Sequence, residues 1–522
     1  MPSRLMRWRE RRWGRVAVPS VVSGVAVALS LPPWGWWPLA FAGAALLYWR
    51  LAGLRLRTRL LAGWLAGLGC YVPGLFWARA FNWYGAVALM AVEALSTAVA
   101  AGLVPPARGR PPAFAGAFTL LEAVRMTWPF GGLPIGGVFL GQAGGPLLAT
   151  ARLGGPLLLT AVVWLSGAGL GELVLRFTAV PRADHHARSR PGVGAAGGAV
   201  AVLLVVALGV AGALAPDGGQ PVRRISVAAV QGGGRRGVSQ AEVSPATVYA
   251  AQLAATHFVA QRDHGRPPQL VLWPEDVISL NGPLAGTPPA ATMAGLARQL
   301  RTTVVAGVTE TVSATAFRNL VVAWGPSGRV VGTFEKVHRV PFGEYVPYRS
   351  FFAHFANLSA VPLDAIAGQG TGLLRTPAGP LGVMVSYEVF YAERGRSSVQ
   401  AGAELLVVST NTSSYATSQV PAQEVAADRV QAVEEGRDLV QAAPTGFSTV
   451  VDDRGDVVER TDLGRRQVLL ATVGLRTGRT VYERTGDWPV LVLAGLAVLG
   501  GWLMARWPLA ATWSRRRGTA RP

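Results

Sequence analysis

The chain has 522 residues, 50% of them hydrophobic and 15% charged, and carries a formal net charge of +20. That length would allow three or four soluble domains, but so apolar a composition, with a positive mean hydropathy of +0.32, points to a membrane protein instead. The positive charge comes with no zinc-finger or aromatic RNA-binding signature, so it makes no case for nucleic acid. The single cysteine, Cys70, excludes an intrachain disulfide and a multi-thiolate metal site, and no cofactor is expected.

Apolar runs give candidate membrane spans at about 16–31, 37–53, 60–77, 85–104, 113–128, 155–177, 195–215 and 488–507, judged against the roughly 20 residues needed to cross a bilayer. Arginines cluster in the leader to Arg15, between Arg50 and Arg59, at Arg108 and Arg110, between Arg176 and Arg190, and at Arg515 to Arg517. The alternate connections carry almost none, so both termini are expected in the cytoplasm and the segment from Arg223 to about Tyr482 outside. Eight spans satisfy that parity. The expected divisions are a membrane domain over 1–221, an extracytoplasmic domain over 222–482, and a final span with a basic tail over 483–522.

Inside the membrane part, Glu122 and Arg125 lie three apart on one helical face and are expected to pair or to line a polar cavity. Cys70 reads as a small packed apolar residue. The tract Gly131–Gly137 with Gly144-Gly-Pro146 is too broken to span and should lie at the outer surface, near the external domain.

The external segment alternates. Strands are expected at Arg224–Gln231, Gln269–Glu275, Thr303–Val308, Leu320–Trp324, Leu381–Ser386 and Glu404–Ser409. Helices are expected from Ser244 to about Asp263, with Ser244 as N-cap, over Ala290–Leu300, and over Gln423–Gln441; Gly325–Gly328 is a turn. Near-continuous apolar strands alternating with helices imply an α/β sandwich with covered sheets.

Three positions stand out there. Of the 49 basic side chains only one is a lysine, Lys336, within Phe-Glu-Lys-Val-His-Arg-Val-Pro-Phe-Gly-Glu-Tyr-Val-Pro at 334–347. A primary amine can act as a compact point-charge donor where arginine cannot. Glu275 and Ser386 close apolar strands, where α/β enzymes tend to place chemistry. Each has a plainer reading: Lys336 as a leftover surface lysine, Glu275 as a capping or salt-bridging acid, Ser386 as a buried hydroxyl; His338, nearby, reads as a packed or surface histidine.

Trp-Pro-Glu at 273–275, Lys-Val-His-Arg-Val-Pro-Phe-Gly-Glu-Tyr-Val-Pro at 336–347 and Val-Ser-Tyr-Glu at 385–388 resemble the apolipoprotein N-acyltransferases. The resemblance extends to Val230-Gln231, Thr410-Asn411, Glu434 with Gly436-Arg437, and Gly486–Pro489. It implies an eight-span bundle in a bacterial cytoplasmic membrane, carrying a nitrilase-like αββα sandwich outside. It also implies transfer of an acyl chain from phospholipid, through an acyl-enzyme, to the amino group of the diacylglyceryl-cysteine that begins a lipoprotein. Glu275 then matches the general base, Lys336 the oxyanion-stabilising lysine, Glu344 and Glu388 supporting carboxylates, and Tyr387 a neighbouring aromatic. Ser386 stands where the family carries its nucleophilic cysteine. The family's Asn-Asp-Ala-Trp-Phe-Gly region reads Asn411–Ala416 here, and its Gln-His pair reads Gln423-Glu424. Two alternatives stay open: a catalytically impaired relative that binds lipid or lipoprotein, and a membrane-tethered amidase acting on another small substrate.

Overall fold

The computed structural model describes residues 4–80, 83–178, 192–234, 243–262, 267–354, 357–359, 361–415 and 418–506. The expected arginines at 182–190 and 515–517, the first three residues of the leader, Asp263 and Ala416 lie outside the described residues. Among the described residues seven α-helices come first: α1 Arg4–Ser30, α2 Pro38–Arg50, α3 Leu56–Gly74, α4 Trp83–Leu103, α5 Arg110–Thr127, α6 Ala151–Thr178 and α7 Gly192–Leu214. Each overlaps one of the first seven apolar runs in the sequence. Among the described residues, four helices of the chain are long and apolar enough to cross a membrane; they include α4, α7 and the last helix of the chain, with the fourth at Leu148–Leu175.

The chain then runs β1 Arg223–Gln231, α8 Pro245–Arg262, β2 Leu270–Leu272, β3 Ile278–Leu280, α9 Pro288–Leu300, β4 Thr303–Ser313, β5 Ala316–Trp324, β6 Val330–Glu335, α10 Arg349–Phe352, β7 Asp364–Ala365, β8 Leu373–Thr376 and β9 Gly379–Val385. It continues with α11 Ala392–Gln400, β10 Leu405–Ser409, α12 Val420–Glu435, β11 Leu439–Ala442, β12 Thr449–Val451, β13 Val457–Arg460, β14 Gln467–Leu475 and α13 Val481–Thr485. The chain closes with α14, Trp488–Arg506.

Two sheets form. One has the order β14-β1-β2-β4-β5-β6, with β3 beside β4 and β7 beside β5; the other runs β13-β12-β11-β10-β9-β8. Their facing side chains, among them Val227, Leu272, Val305, Val383, Val407 and Val440, build one apolar core. The outer face of the first sheet buries Val271 and Trp273 against Ala255, Val259, Met293 and Ala297 of α8 and α9. The outer face of the second buries Met384, Leu406 and Val408 with Ala426, Val430 and Val433 of α12, in a cluster continuous with the helical bundle. This is the αββα sandwich, with one helical layer facing the bundle. It explains the apolar strands, which are covered on both faces.

Local chemistry sets the boundaries. Ser244 Oγ accepts from Thr247 N–H at 3.2 Å, and Thr287 Oγ1 caps α9 through Ala290 N–H at 3.3 Å. The expected helix over Gln423–Gln441 is two elements: Gly436 takes φ 60° and ends α12, after which β11 pairs in parallel with β10. The expected strand over Gln269–Glu275 stops at Leu272, because Pro274 has no N–H to continue a ladder. Glu275 therefore stands beyond the strand rather than in it.

The bundle is closed by α14, which returns to α5 at van der Waals distance. A side chain at Gly109 would meet Gly501 O at 2.0 Å and one at Gly116 would meet Ala494 O at 2.4 Å, so both positions require glycine. In α6, Gly154 and Gly155 leave helical geometry just before Pro156, and the Tyr482 ring fills the space a side chain at Gly155 would need. Glu122 and Arg125 meet the first of the two expectations, and Glu122 alone also reaches a cavity. They pair at 2.7 Å, and Glu122 with Cys70, Tyr71 and Ser96 lines a cavity of about 40 Å³.

Candidate active site

Three chain segments converge at the mouth of the sandwich. The first is the turn after β2. Ser409 Oγ, at the end of β10, donates to Trp273 O at 2.7 Å, and Glu275 N–H donates to Thr410 O at 3.3 Å. On the other side, a side chain at Gly307 of β4 would collide with the Glu275 backbone at 2.5 Å. The Trp-Pro-Glu turn is thus clamped between β10 and β4, with Glu275 only 5% exposed.

The second segment follows β6. Lys336 N–H continues the ladder by donating to Asn319 O at 2.9 Å, and its side chain is 1% exposed. Nζ donates to Glu275 Oε1 at 3.0 Å and to Glu344 Oε1 at 2.7 Å. Asn319 Nδ2 donates to the same two oxygens, at 2.8 and 3.1 Å. Glu344 Oε2 accepts from Val340 N–H at 2.8 Å, which closes the Val340–Glu344 turn.

Burial pushes the Glu275 carboxyl above the usual glutamate range; Lys336 pulls it down and Glu344 pushes it up. Burial also pulls Lys336 down, but Glu275 and then Glu344 outweigh it, so the ammonium is held protonated above the ordinary lysine range. One cation held between two carboxylates leaves a net negative cluster with a proton acceptor in a nearly dry place.

The third segment is the end of β9. Its last residue, Val385, lies opposite Ser409 in the parallel ladder, which sets the next residue, Ser386, beside the β10 end that clamps the Glu275 turn. Ser386 has φ 50°, a left-handed backbone that costs a non-glycine residue roughly 1–2 kcal/mol. It opens a short 3₁₀ turn, Ser386–Phe390, and is partly exposed while Tyr387, Glu388, Val389 and Phe390 are buried. A sharp strand-to-helix turn of this kind presents a hydroxyl and hides its neighbours.

Glu388 holds the second and third segments together. Fully buried, it accepts from Val385 N–H at 2.9 Å on one oxygen. The other oxygen accepts from Val337 N–H at 2.8 Å and His338 N–H at 3.1 Å, the two residues after the lysine. Tyr387 OH donates to Gly132 O at 2.8 Å, in the loop after α5. The glycine tract therefore meets the sandwich domain. His338 stacks on Tyr391, at 4.2 Å between ring centroids and 17° between planes, and pairs with Glu393 at 2.9 Å, away from the Lys336 cluster.

The six residues singled out from the sequence thus lie on these three segments, Glu388 tying two of them, while Cys70 is buried in the bundle core. Asn319 is the contributor that sequence reasoning misses. The signal available was a lone asparagine in Phe-Arg-Asn-Leu-Val-Val, at the polar edge of an apolar run. Within the described part of the 411–416 loop, 411–415, Tyr415 also lies near the cluster. The Tyr415 hydroxyl is held above its ordinary range by burial and then by Glu344, and its ring meets Trp77 edge-on at 5.2 Å. Among the described residues no group of acidic, histidine and cysteine side chains fits a metal ion.

Two family models match the chain: the apolipoprotein N-acyltransferase N-terminal domain over residues 23–169 and the carbon-nitrogen hydrolase domain over residues 226–482. The chain is 31% identical over 508 residues to an apolipoprotein N-acyltransferase of Mycolicibacterium smegmatis, covering 92% of this chain and 84% of that one. It is 29% identical over 509 residues to that of Geobacter metallireducens, covering 92% and 94%. Among solved structures, a Saccharomyces cerevisiae member of the nitrilase superfamily aligns with 49% of this chain and 91% of its own, at 18% identity and a TM-score of 0.38. On sequence likeness over nearly its whole length, the chain belongs to the apolipoprotein N-acyltransferase family.

Proposed function

We propose that the protein is a membrane acyltransferase that moves a fatty acyl chain from a phospholipid to the N-terminal diacylglyceryl-cysteine of lipoproteins, with Ser386 as nucleophile. The observation that carries this reading is the buried Glu275–Lys336–Glu344 cluster, whose Lys336–Glu344 loop is tied by Glu388 to the turn that presents Ser386.

In the first half-reaction Glu275 takes the proton of Ser386 Oγ as the oxygen attacks the phospholipid ester carbonyl. Lys336 stabilises the oxyanion of the tetrahedral intermediate, a role for a fixed cation that needs no reorganisation. The ester C–O bond to glycerol breaks and the departing oxygen takes the proton from Glu275. Lysophospholipid leaves and the acyl chain remains on Ser386 as an ester. In the second, the lipoprotein amine attacks that ester, Glu275 takes an amine proton, the bond to Oγ breaks, and the proton returns to Oγ. No net proton is gained or lost. The pKa of Glu275, raised by burial, makes it a stronger base than an ordinary carboxylate, which suits a group that must both take and return protons.

Eight spans, with 1–221 and 483–522 as membrane parts and both ends cytoplasmic, would set the 222–482 domain on the outer face of a bacterial cell membrane. The bundle would then supply lipid from the side, a requirement that a soluble amide substrate does not have. A lipid-binding relative without turnover is the second reading, favoured by a hydroxyl at 386, since a hydroxyl is a weaker nucleophile than a thiol. Incubation with phospholipid and a diacylglyceryl-cysteine peptide separates the two: N-acylated peptide supports the transferase, and bound but intact phospholipid supports the second reading.

A further inference from the structure

We infer that Arg125, inside the helical bundle, is a positioning residue for the acyl-transfer site and acts through the glycine loop that follows α5. The inference rests on the reading of Ser386 and Glu344 given above.

Arg125 is 2% exposed. Its Nε and Nη2 donate to the two oxygens of Glu122 at 3.1 and 2.7 Å, and Nη1 reaches Glu93 at 3.4 Å. The remaining donor capacity goes to backbone. Nη1 donates to Leu133 O and, at 3.1 Å, to Ile135 O; Nη2 donates to Pro134 O at 3.2 Å. One guanidinium therefore gathers three successive carbonyls. That loop has no regular structure of its own, and it holds φ of 55°, 94°, 85° and 79° at Phe130, Gly131, Gly132 and Gly136. A segment of this shape needs an external template, and a planar fork of five donors supplies one where an ammonium would not.

The carbonyls that precede this stretch meet the catalytic domain. Gly132 O accepts from Tyr387 OH at 2.8 Å, Gly131 O and Gly132 O accept from Tyr391 OH at 3.1 Å, and Phe130 O accepts from Tyr345 OH at 3.1 Å. Gly136 N–H donates to Gln423 Oε1 at 2.9 Å. Tyr387 adjoins Ser386 and Tyr345 adjoins Glu344. The loop is thus held by Arg125 on one side, and on the other it carries the hydroxyls flanking the nucleophile and the second carboxylate. Two carboxylates that fix a guanidinium within the bundle thereby fix the place of Ser386 outside it.

The test is Arg125→Lys, which keeps the charge and loses the fork, measured in the full-length protein in detergent beside Tyr387→Phe and the double variant. Ser386 acylation is expected to slow by about 10-fold or more, with the apparent KM for phospholipid changing by less than about 2-fold, as for a misplaced reacting group. The double variant is expected to lose no more than the stronger single variant does. Losses that multiply, or a change in KM alone, would overturn the inference. Amide exchange gives a readout that does not depend on turnover: Arg125→Lys should speed exchange in both 128–137 and 385–391. Faster exchange confined to 128–137 would overturn the inference, whereas a parent protein that fails to acylate Ser386 would refute the transferase reading alone. If Arg125→Lys does not accumulate, Glu93→Gln, which relaxes the same guanidinium, carries both measurements with the same expectations.

Discussion

Lys336 Nζ lies 3.0 Å from Glu275 Oε1, and neither side chain is more than 7% exposed. In so dry a contact the acid's proton affinity is set by burial first, then by Lys336 and by the second acid, Glu344. Glu275→Gln should slow Ser386 acylation by about 10²–10⁴-fold, the usual worth of a positioned base. The pH profile carries the sign. Below the raised pKa Glu275 is protonated and cannot accept from Ser386, so the rate should fall with pH along an acid limb starting above the ordinary glutamate range. Glu344→Gln removes the like charge and should move that limb downward, as kcat/KM against pH would record.

Asn319 Nδ2 spans Glu275 and Glu344. Asn319→Ala should leave the strand pairing of β5 intact and free both carboxylates to reorient. A loss of about 10²-fold in acylation rate is expected, with little change in thermal stability, since small displacements of reacting groups carry large rate penalties. Steady-state rates beside a melting curve in detergent check both halves.

Glu388 accepts three backbone N–H groups from two segments. Glu388→Gln turns one accepting end into a donor and faces it to another donor. The expected cost is about 1–3 kcal/mol of stability, the penalty of an unsatisfied buried group, and it should be seen as a lowered Tm together with faster exchange at 385–391.

Asp428 of α12 is buried; its one accepted hydrogen bond among the described residues comes from Thr449 Oγ1 at 2.9 Å. Burial pushes its carboxyl from the ordinary 3.8 up to about 8. Below the lower value folded and unfolded chains are both protonated. As pH rises the unfolded chain ionises first, so stability falls until about pH 8 and then levels off. Asp428→Asn should flatten that slope, matching the parent near about pH 4 and exceeding it near about pH 7.5. Unfolding midpoints across pH measure it.

Much of this was legible in the sequence because the signals were local. Val383 and Val407 sit in unbroken apolar runs that read as covered strands, and the lone lysine marked the second loop of the site before any geometry was known. What was not legible was long-range. Gln423–Gln441 looks like one helix until Gly436 turns left-handed and Leu439 finds β10. Pro274 ends β2 early and sets Glu275 in a turn, which a strand pattern ending in an acid does not reveal. Asn319 looks like an edge residue because its partners are 44 and 25 positions away. The hold of Arg125 on the loop carbonyls is likewise a product of folding, since only Glu122 lies close to it in the chain.

The most direct test of the account is intact-protein and peptide mass spectrometry after incubation with phospholipid, on the parent, Ser386→Ala and Ser386→Cys. The account predicts an acyl adduct on Ser386 of the parent that is absent from Ser386→Ala and passes to a diacylglyceryl-cysteine peptide. An unmodified parent beside an acylated Ser386→Cys would contradict it, leaving a scaffold competent for the chemistry in which the natural serine does not act as nucleophile.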